Sequence, residues 1–249
     1  MSIRLHNLTL AYGSRVLLDR ISADIPAGSV TALIGRNGTG KSTLLRAIAG
    51  LDTPAAGEID LCGCLSSSLS TQERATTISM VTTEKIRIAN LSCEDTVALG
   101  RAPYTNWIGR MQNTDRAIVE YSLQLVGMQE FAHKNMDQLS DGECQRVLIA
   151  RALAQDTPII LLDEPTAFLD LPNRYELVQL LQRLAHEEGK CILFSTHELD
   201  IALRLCDAVA LIDTPQLHLL PAAEMAASGH IARLFSNMSI TFEDDNSLF

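Results

Sequence analysis

The stretch Gly35-Arg36-Asn37-Gly38-Thr39-Gly40-Lys41-Ser42 constrains this chain more than any other. It follows the apolar run VTALI and precedes STLLRAIAGL, whose apolar residues recur at three- and four-residue steps. A buried strand, a glycine-rich loop and a helix, in that order, form the context in which G-x-x-x-x-G-K-[ST] holds phosphate. The glycines let backbone N–H groups turn inward around phosphate oxygens, and the helix N-terminus adds the positive end of its dipole. The backbone of Gly35, Arg36, Asn37, Gly38, Thr39 and Gly40 is therefore expected to wrap a nucleoside triphosphate. Lys41 is expected to reach its β- and γ-phosphates, Ser42 to hold Mg²⁺ through its hydroxyl, and Thr43 to donate to the α-phosphate.

The rest of the chain fits an α/β frame around that loop. Residues 3 to 34 read as short β-segments, with IRLHNLTLAY alternating and PAGS making a turn before the buried strand. GEIDLCG and ISMV read as strands, and the region from about Glu94 to Gln155 reads as mostly helical, with DRAIVEYSLQLVGM and QRVLIARALAQ carrying helical spacing. PIILLDE and KCILFSTH are then buried strands, separated by the helix YELVQLLQRLAHEEG, which stops at Gly189. Strands alternating with helices imply a mainly parallel sheet covered on both faces. One domain over 1–249 with a helical subdomain inserted at about 85–157 is the economical organisation.

Composition narrows the class. A net charge of -10 argues against broad electrostatic binding to nucleic acid or anionic lipid, which Lys and Arg drive. No stretch approaches the length of continuous apolar sequence that a spanning helix needs, and MSIRLHNLTLAYG lacks the regions of a signal peptide, so a cytoplasmic location is expected. The six cysteines are scattered, Cys62-x-Cys64 has the wrong spacing for a usual zinc knuckle, and small buried or half-buried thiols are the expectation.

The strand Ile159-Ile160-Leu161-Leu162 delivers Asp163 to its C-terminal end, where a carboxylate can reach the water shell of Mg²⁺. Glu164 comes next and is placed to orient or deprotonate an attacking water; the plainer alternative is a capping or salt-bridging acid. His197, at the end of the following strand, is a candidate contact for the γ-phosphate.

These groups leave LSDGECQRV, residues 139–147, unexplained. With Ser140, Gly142 and a helix expected from about Glu143, it is a second anion-binding helix N-terminus. The phosphate loop already surrounds the nucleotide of its own chain, so the second end is suited to a nucleotide held by another copy. Two-fold pairing then creates two composite sites.

At these residues the chain resembles the ATP-binding cassette (ABC) ATPases. LSDGE is similar to the LSGGQ signature, GRNGTGKST to the Walker A motif and IILLDE to the Walker B motif with its catalytic Glu. AFLD, with Asp170, resembles the D-loop. The resemblance implies a P-loop NTPase fold of ABC type with a mainly parallel core, an N-terminal antiparallel β-subdomain and an inserted helical subdomain. It also implies ATP and Mg²⁺ as cofactors, with catalytic roles for Glu164, His197 and Lys41, and adenine stacking on Tyr12, which is otherwise a surface strand tyrosine. Three departures stand out: Asp141 and Glu143 in the signature, Ala167 in the D-loop, and no Gln in ISMVTTEK, where Thr83 or Glu84 would take the metal contact. Phosphate contact by Ser140 and Gly142 is expected to survive.

ALGRAPYTNWIGRM, EPTAFLDLPNRYELVQLL and STHELDIALRLCDAVALID resemble the importer ATPases for iron(III)-siderophores, haem and cobalamin. That likeness implies a homodimer sandwiching ATP, permease subunits in the membrane with an extracytoplasmic binding protein, and a peripheral place on the cytoplasmic face of the inner or plasma membrane. The exposed aromatics Tyr104 and Trp107 belong either to the permease contact or to local loop packing. A soluble ABC ATPase acting as an assembly module is the alternative reading. A P-loop kinase would have no use for LSDGE.

Overall fold

A computed structural model describes residues 2–83, 90–105 and 111–236. The order begins β1 (Ile3–Tyr12), β2 (Arg15–Ile25), β3 (Ser29–Gly35), α1 (Lys41–Ile48), β4 (Ala56–Leu61), the two-residue β5 (Cys64–Leu65), α2 (Thr71–Thr77) and β6 (Ile78–Val81). Helices α3 (Cys93–Ala98), α4 (Asn113–Leu125) and α5 (Asp141–Ala154) follow, then β7 (Ile159–Leu162), α6 (Leu171–Glu188), β8 (Cys191–Ser195) and α7 (Leu199–Leu205). The hairpin β9 (Ala208–Asp213) and β10 (Gln216–Pro221) leads to α8 (Ala222–Ala227) and α9 (His230–Ser236).

Two sheets form. One, ordered β2-β1-β4-β5, is antiparallel throughout. The other, ordered β10-β9-β3-β8-β7-β6, is parallel except for the β9/β10 edge. The apolar runs VTALI, IILL and CILF are its middle strands, and each is unbroken because both of its faces are covered. Val30, Ala32, Ile160, Leu162, Ile192 and Phe194 face one core with α5 and α6. The alternate residues Leu33, Ile159, Leu161, Cys191 and Leu193 face a second core, shared with α1 and the antiparallel sheet. A one-residue slip in any of these strands would exchange the two sets.

α5 packs on α3 and α4, and also on β6. A buried ion pair ties this group together: Arg101 Nε donates to Asp115 Oδ1 at 3.0 Å, and Arg101 Nη1 donates to the Ala154 carbonyl at 2.8 Å. The Gln112 N–H donates to Asp115 Oδ2 at 2.9 Å; that bond first, and Arg101 second, hold the Asp115 carboxyl below its ordinary range. Tyr104 packs locally: its hydroxyl donates to the Gln155 carbonyl at 3.0 Å and Arg101 lies over its ring. Trp107 lies outside the described residues.

Several expectations shift. α5 starts at Asp141, not Glu143, because Ser140 caps it. α6 starts at Leu171, four residues before Tyr175, because Asp170 Oδ1 accepts the Asn173 N–H and Pro172 favours a first helical turn. The β9/β10 hairpin was not among the expected elements. Cys93, Cys144, Cys191 and Cys206 are buried, with burial pushing the Cys191 and Cys206 thiols up to about 12, whereas Cys64 is exposed as the first residue of β5, at the sheet edge.

Candidate functional site

The parallel pairing brings the site residues to one edge of the six-stranded sheet. β3 ends in the glycine-rich loop, β7 in Asp163 and Glu164, and β8 in Ser195, Thr196 and His197. β8 lies between β3 and β7, so its end separates the loop from the acids. Ligands of open α/β sheets bind at such carboxyl ends.

The loop is shaped from within. Thr39 Oγ1 donates to the Arg36 carbonyl at 2.8 Å, and Lys41 Nζ donates to the carbonyls of Gly35 at 3.0 Å and Arg36 at 3.3 Å. Gly40 has φ 104, and a β-carbon there would approach the Leu17 side chain to 3.1 Å, so glycine is required. Lys41 is buried, which lowers its pKa from the ordinary value; the carboxylates of Glu164 and then Asp163 pull it back up. A cation already oriented by two carbonyls, with little water around it, is prepared for phosphate oxygens.

A cavity of about 460 Å³ opens over this loop, lined by Tyr12, Asn37, Gly38, Gly40, Lys41, Ser42, Thr43 and Glu164 together with Arg15 and Leu17. Tyr12 is 79% exposed at the end of β1, with its ring free to receive a flat ligand. Arg15 and Leu17 were not singled out from the sequence; they reach the cavity only because the β1/β2 hairpin leans on the loop. A larger groove, of about 850 Å³, runs between the end of α4, α5 and α6 and shares no lining residue with the phosphate cavity.

The acids are held differently. Asp163 is buried, and its backbone N–H donates to the Val81 carbonyl at 2.8 Å. Ser195 Oγ donates to Asp163 Oδ1 at 2.6 Å and accepts the Glu164 N–H at 2.8 Å. Glu164 adopts φ 48, a left-handed conformation that costs a residue with a β-carbon about 1–2 kcal/mol. Its carboxylate fits the salt-bridging alternative and not the capping one: Oε1 lies 2.8 Å from His197 Nε2, an ion pair when that ring is protonated. Sequence reasoning missed Ser195, because a hydroxyl in a buried strand does not announce its partner: that of Thr31, in the equally buried β3, has none among the described residues. Thr166 Oγ1 donates to Glu198 Oε1 at 2.9 Å and Arg174 pairs with Glu198 Oε2 at 3.2 Å, so the segment after Glu164 is fastened to the residue after His197.

The donor set suits Mg²⁺. Ser42 offers an exposed hydroxyl at the start of α1, and Asp163 retains Oδ2 beside the oxygen that Ser195 occupies. Few hard oxygen donors, completed by phosphate and water, is how that cation is usually bound. Thr83, exposed, follows β6 two residues beyond the Val81 carbonyl that holds Asp163. Glu84 lies outside the described residues.

Ser140 and Gly142 do not line the phosphate cavity. They open α5, where Ser140 Oγ donates to Glu143 Oε2 at 2.8 Å and the Ser140 N–H donates to the same oxygen at 2.7 Å. The Glu143 carboxyl is lowered from its ordinary value by the Ser140 N–H first and the hydroxyl second. Glu143 engages the Ser140 hydroxyl in a capping box, from which the hydroxyl would have to turn to meet phosphate. Gly142 abuts the segment after Glu164, since a β-carbon there would come within 3.0 Å of the Phe168 carbonyl oxygen.

Comparison with known proteins bears on this geometry. The family model "ABC transporter" matches residues 18–167. The chain is 38% identical over 203 residues to the iron(3+)-hydroxamate import ATP-binding protein FhuC of Bacillus subtilis, covering 82% of this chain and 76% of that one. It is 37% identical over 202 residues to the ferric enterobactin transport ATP-binding protein FepC of Escherichia coli, covering 81% and 74%. Among solved structures it is similar to the ATP-binding cassette MJ0796 in a dimeric post-hydrolysis state bound to ADP and Pi, with a TM-score of 0.78 at 29% identity over 88% of this chain and 98% of that one. An inward-facing conformation of an ABC transporter gives a TM-score of 0.82 at 26% identity, covering 94% and 89%. No helix among the described residues is long and apolar enough to cross a membrane.

Proposed function

This chain belongs to the ABC transporter family and is an ATP-binding, ATP-hydrolysing cassette, and from that premise we propose that it powers the import of an iron(III)-siderophore, with haem and cobalamin as the neighbouring choices of cargo. The observation that carries the reading is the meeting of the phosphate loop, Asp163-Glu164 and His197 at the ends of three adjacent strands. Relatives named for iron-hydroxamate and enterobactin transport support the choice of cargo.

In this reading the chain is one domain, and its helices between 85 and 157 offer the docking region for a membrane permease served by an extracytoplasmic binding protein. Two copies pair head to tail on the cytoplasmic face of the membrane. Tyr12 stacks on adenine. The loop N–H groups and Lys41 hold the phosphates, and Thr43 donates to the α-phosphate. Ser42 and Asp163 hold Mg²⁺, with Thr83 or Glu84 as a further contact; the ion's chemistry there is to neutralise charge on the β- and γ-phosphates. Glu164 accepts a proton from the water that attacks the γ-phosphorus, so that the bond to ADP breaks and phosphate leaves. His197, hydrogen-bonded to Glu164, orients that carboxylate and reaches the γ-phosphate. Ser140 and Gly142 of the partner subunit complete the pocket once the Ser140 hydroxyl turns from Glu143 to phosphate.

The test is affinity purification of tagged Glu164→Gln protein from gently solubilised native membranes with MgATP, read by mass spectrometry. A polytopic permease recovered two copies to two is the expected result. A soluble partner, or none, would transfer the weight to a soluble assembly module.

A further inference from the structure

We infer that Ser195 is a positioning residue for ATP hydrolysis, one hydroxyl that orients both the metal-binding carboxylate and the backbone of the acid beside it. The inference rests on the roles proposed above for Asp163 and Glu164.

The Ser195 side chain is fully buried at the end of β8, and both halves of its hydrogen-bonding capacity are spent on the site. Its proton goes to Asp163 Oδ1 at 2.6 Å, the short distance of a charge-assisted bond. Its lone pair takes the Glu164 N–H at 2.8 Å. The first bond fixes the carboxylate plane and leaves Oδ2 as the oxygen for the cation. The second anchors the peptide entering Glu164 at φ 48, a conformation that surrounding structure must impose on a residue with a β-carbon. Without the hydroxyl, a buried carboxylate oxygen loses its donor and a part-buried N–H loses its acceptor, so the Asp163 carboxylate can rotate and the peptide entering Glu164 is no longer anchored.

Thr196 is set apart from this arrangement, since its hydroxyl accepts the Glu198 N–H at 3.1 Å. The next residue, His197, reaches Glu164 through its side chain at 2.8 Å. Glu164 is thus held at both ends by the last residue of β8 and the segment that follows it, by Ser195 at its backbone and by His197 at its carboxylate. Ser195 touches neither nucleotide nor metal in this account and acts only through its two neighbours.

The experiment compares wild type, Ser195→Ala and Ser195→Cys. Mn²⁺ serves as the probe for the cation site and is titrated against nucleotide-bound protein by electron paramagnetic resonance. ATP affinity in EDTA, kcat, KM and melting temperature are measured beside it. Removing the partner of a metal ligand typically lowers metal affinity or activity by about 10- to 100-fold, and that loss is expected in both Mn²⁺ affinity and kcat. Metal-free ATP affinity is expected to stay within about twofold, because the phosphate loop is untouched. The cysteine variant nearly keeps the size of the side chain and carries the same test if alanine loosens the strand. Wild-type Mn²⁺ affinity and kcat in a folded variant would overturn the role of Ser195 alone. Equal losses of metal-free and metal-dependent affinity would also overturn it, as the mark of a merely structural residue. A wild-type protein unable to turn over ATP would overturn the role together with the reading it rests on.

Discussion

His197 Nε2 lies 2.8 Å from Glu164 Oε1, although the two residues leave different strands. Parallel pairing of β7 with β8, Leu162 opposite Phe194, sets their backbones side by side. Replacing Glu164 by Gln keeps the size and one hydrogen bond to His197 but removes the base. ATP binding should persist while kcat falls by about 10²- to 10⁴-fold, the usual contribution of a positioned base. Size-exclusion chromatography with MgATP should then show the variant accumulating as a dimer. Turnover at the wild-type rate would remove Glu164 from that role.

Lys41 is the buried cation of the loop, held by the Gly35 and Arg36 carbonyls. A charged hydrogen bond contributes about 1.5–3 kcal/mol, so Lys41→Ala should weaken ATP binding by about 10- to 150-fold in a fluorescent-nucleotide titration. Far-ultraviolet circular dichroism should be unchanged. Undiminished affinity would mean that Lys41 does not meet phosphate.

Tyr12, mostly exposed at the cavity mouth, contributes little to the core. Stacking of a base on an aromatic ring is worth about 1–3 kcal/mol. Tyr12→Ala should therefore raise the dissociation constant for ATP by about 5- to 150-fold, whereas Tyr12→Phe should leave it unchanged and neither should shift the melting temperature.

Glu143 gives a pH-dependent prediction. Its carboxyl is lowered by the bonds from Ser140, so the folded value lies below the unfolded one. Stabilisation from the carboxylate is then present above the unfolded value, about 4.3, and is lost as pH falls through the folded value. A negative charge in the first turn of a helix is worth about 0.3–1 kcal/mol, or about 1–4 °C in a chain of this size. Glu143→Gln should melt lower than wild type by that margin at pH 7, and the difference should close below the folded value. Gln at this position can still accept from Ser140, so the competitor for the Ser140 hydroxyl is removed by Glu143→Ala instead, and in that variant the ATP-dependent dimer should form at about two- to fivefold lower ATP. A dimer that forms less readily would show that the carboxylate assists contact with phosphate.

What could be read from the sequence was local. The phosphate loop, Asp163, Glu164 and His197 each follow an apolar strand within a residue or two, and strand ends are recognisable from periodicity alone. A helix N-terminus near Ser140 was legible, though with its start expected at about Glu143 and not at Asp141; the S-x-x-E spacing to Glu143 carries the capping box, yet its consequence for the hydroxyl appears only with the distances. Ser195 and Arg15 were illegible because neighbouring strands give them their meaning: β8 beside β7, and β2 folded back on β1. In the β9/β10 hairpin only β10 is masked by its pattern, being half-buried along most of its length; β9, AVALID, is as apolar as the middle strands.

The strand order also acts as a ruler. Hydrogen-bonded strands are spaced about 4.8 Å apart, so the ends of β3 and β7, with β8 between them, stand about 10 Å from each other. Main-chain bonds set that gap, and exchange of side chains alters it little. The measure is taken on the phosphate chain rather than on the base. Mutation at the cavity mouth can therefore change which purine or pyrimidine is welcomed, while shortening the ligand to a diphosphate leaves Glu164 with nothing in reach to cut.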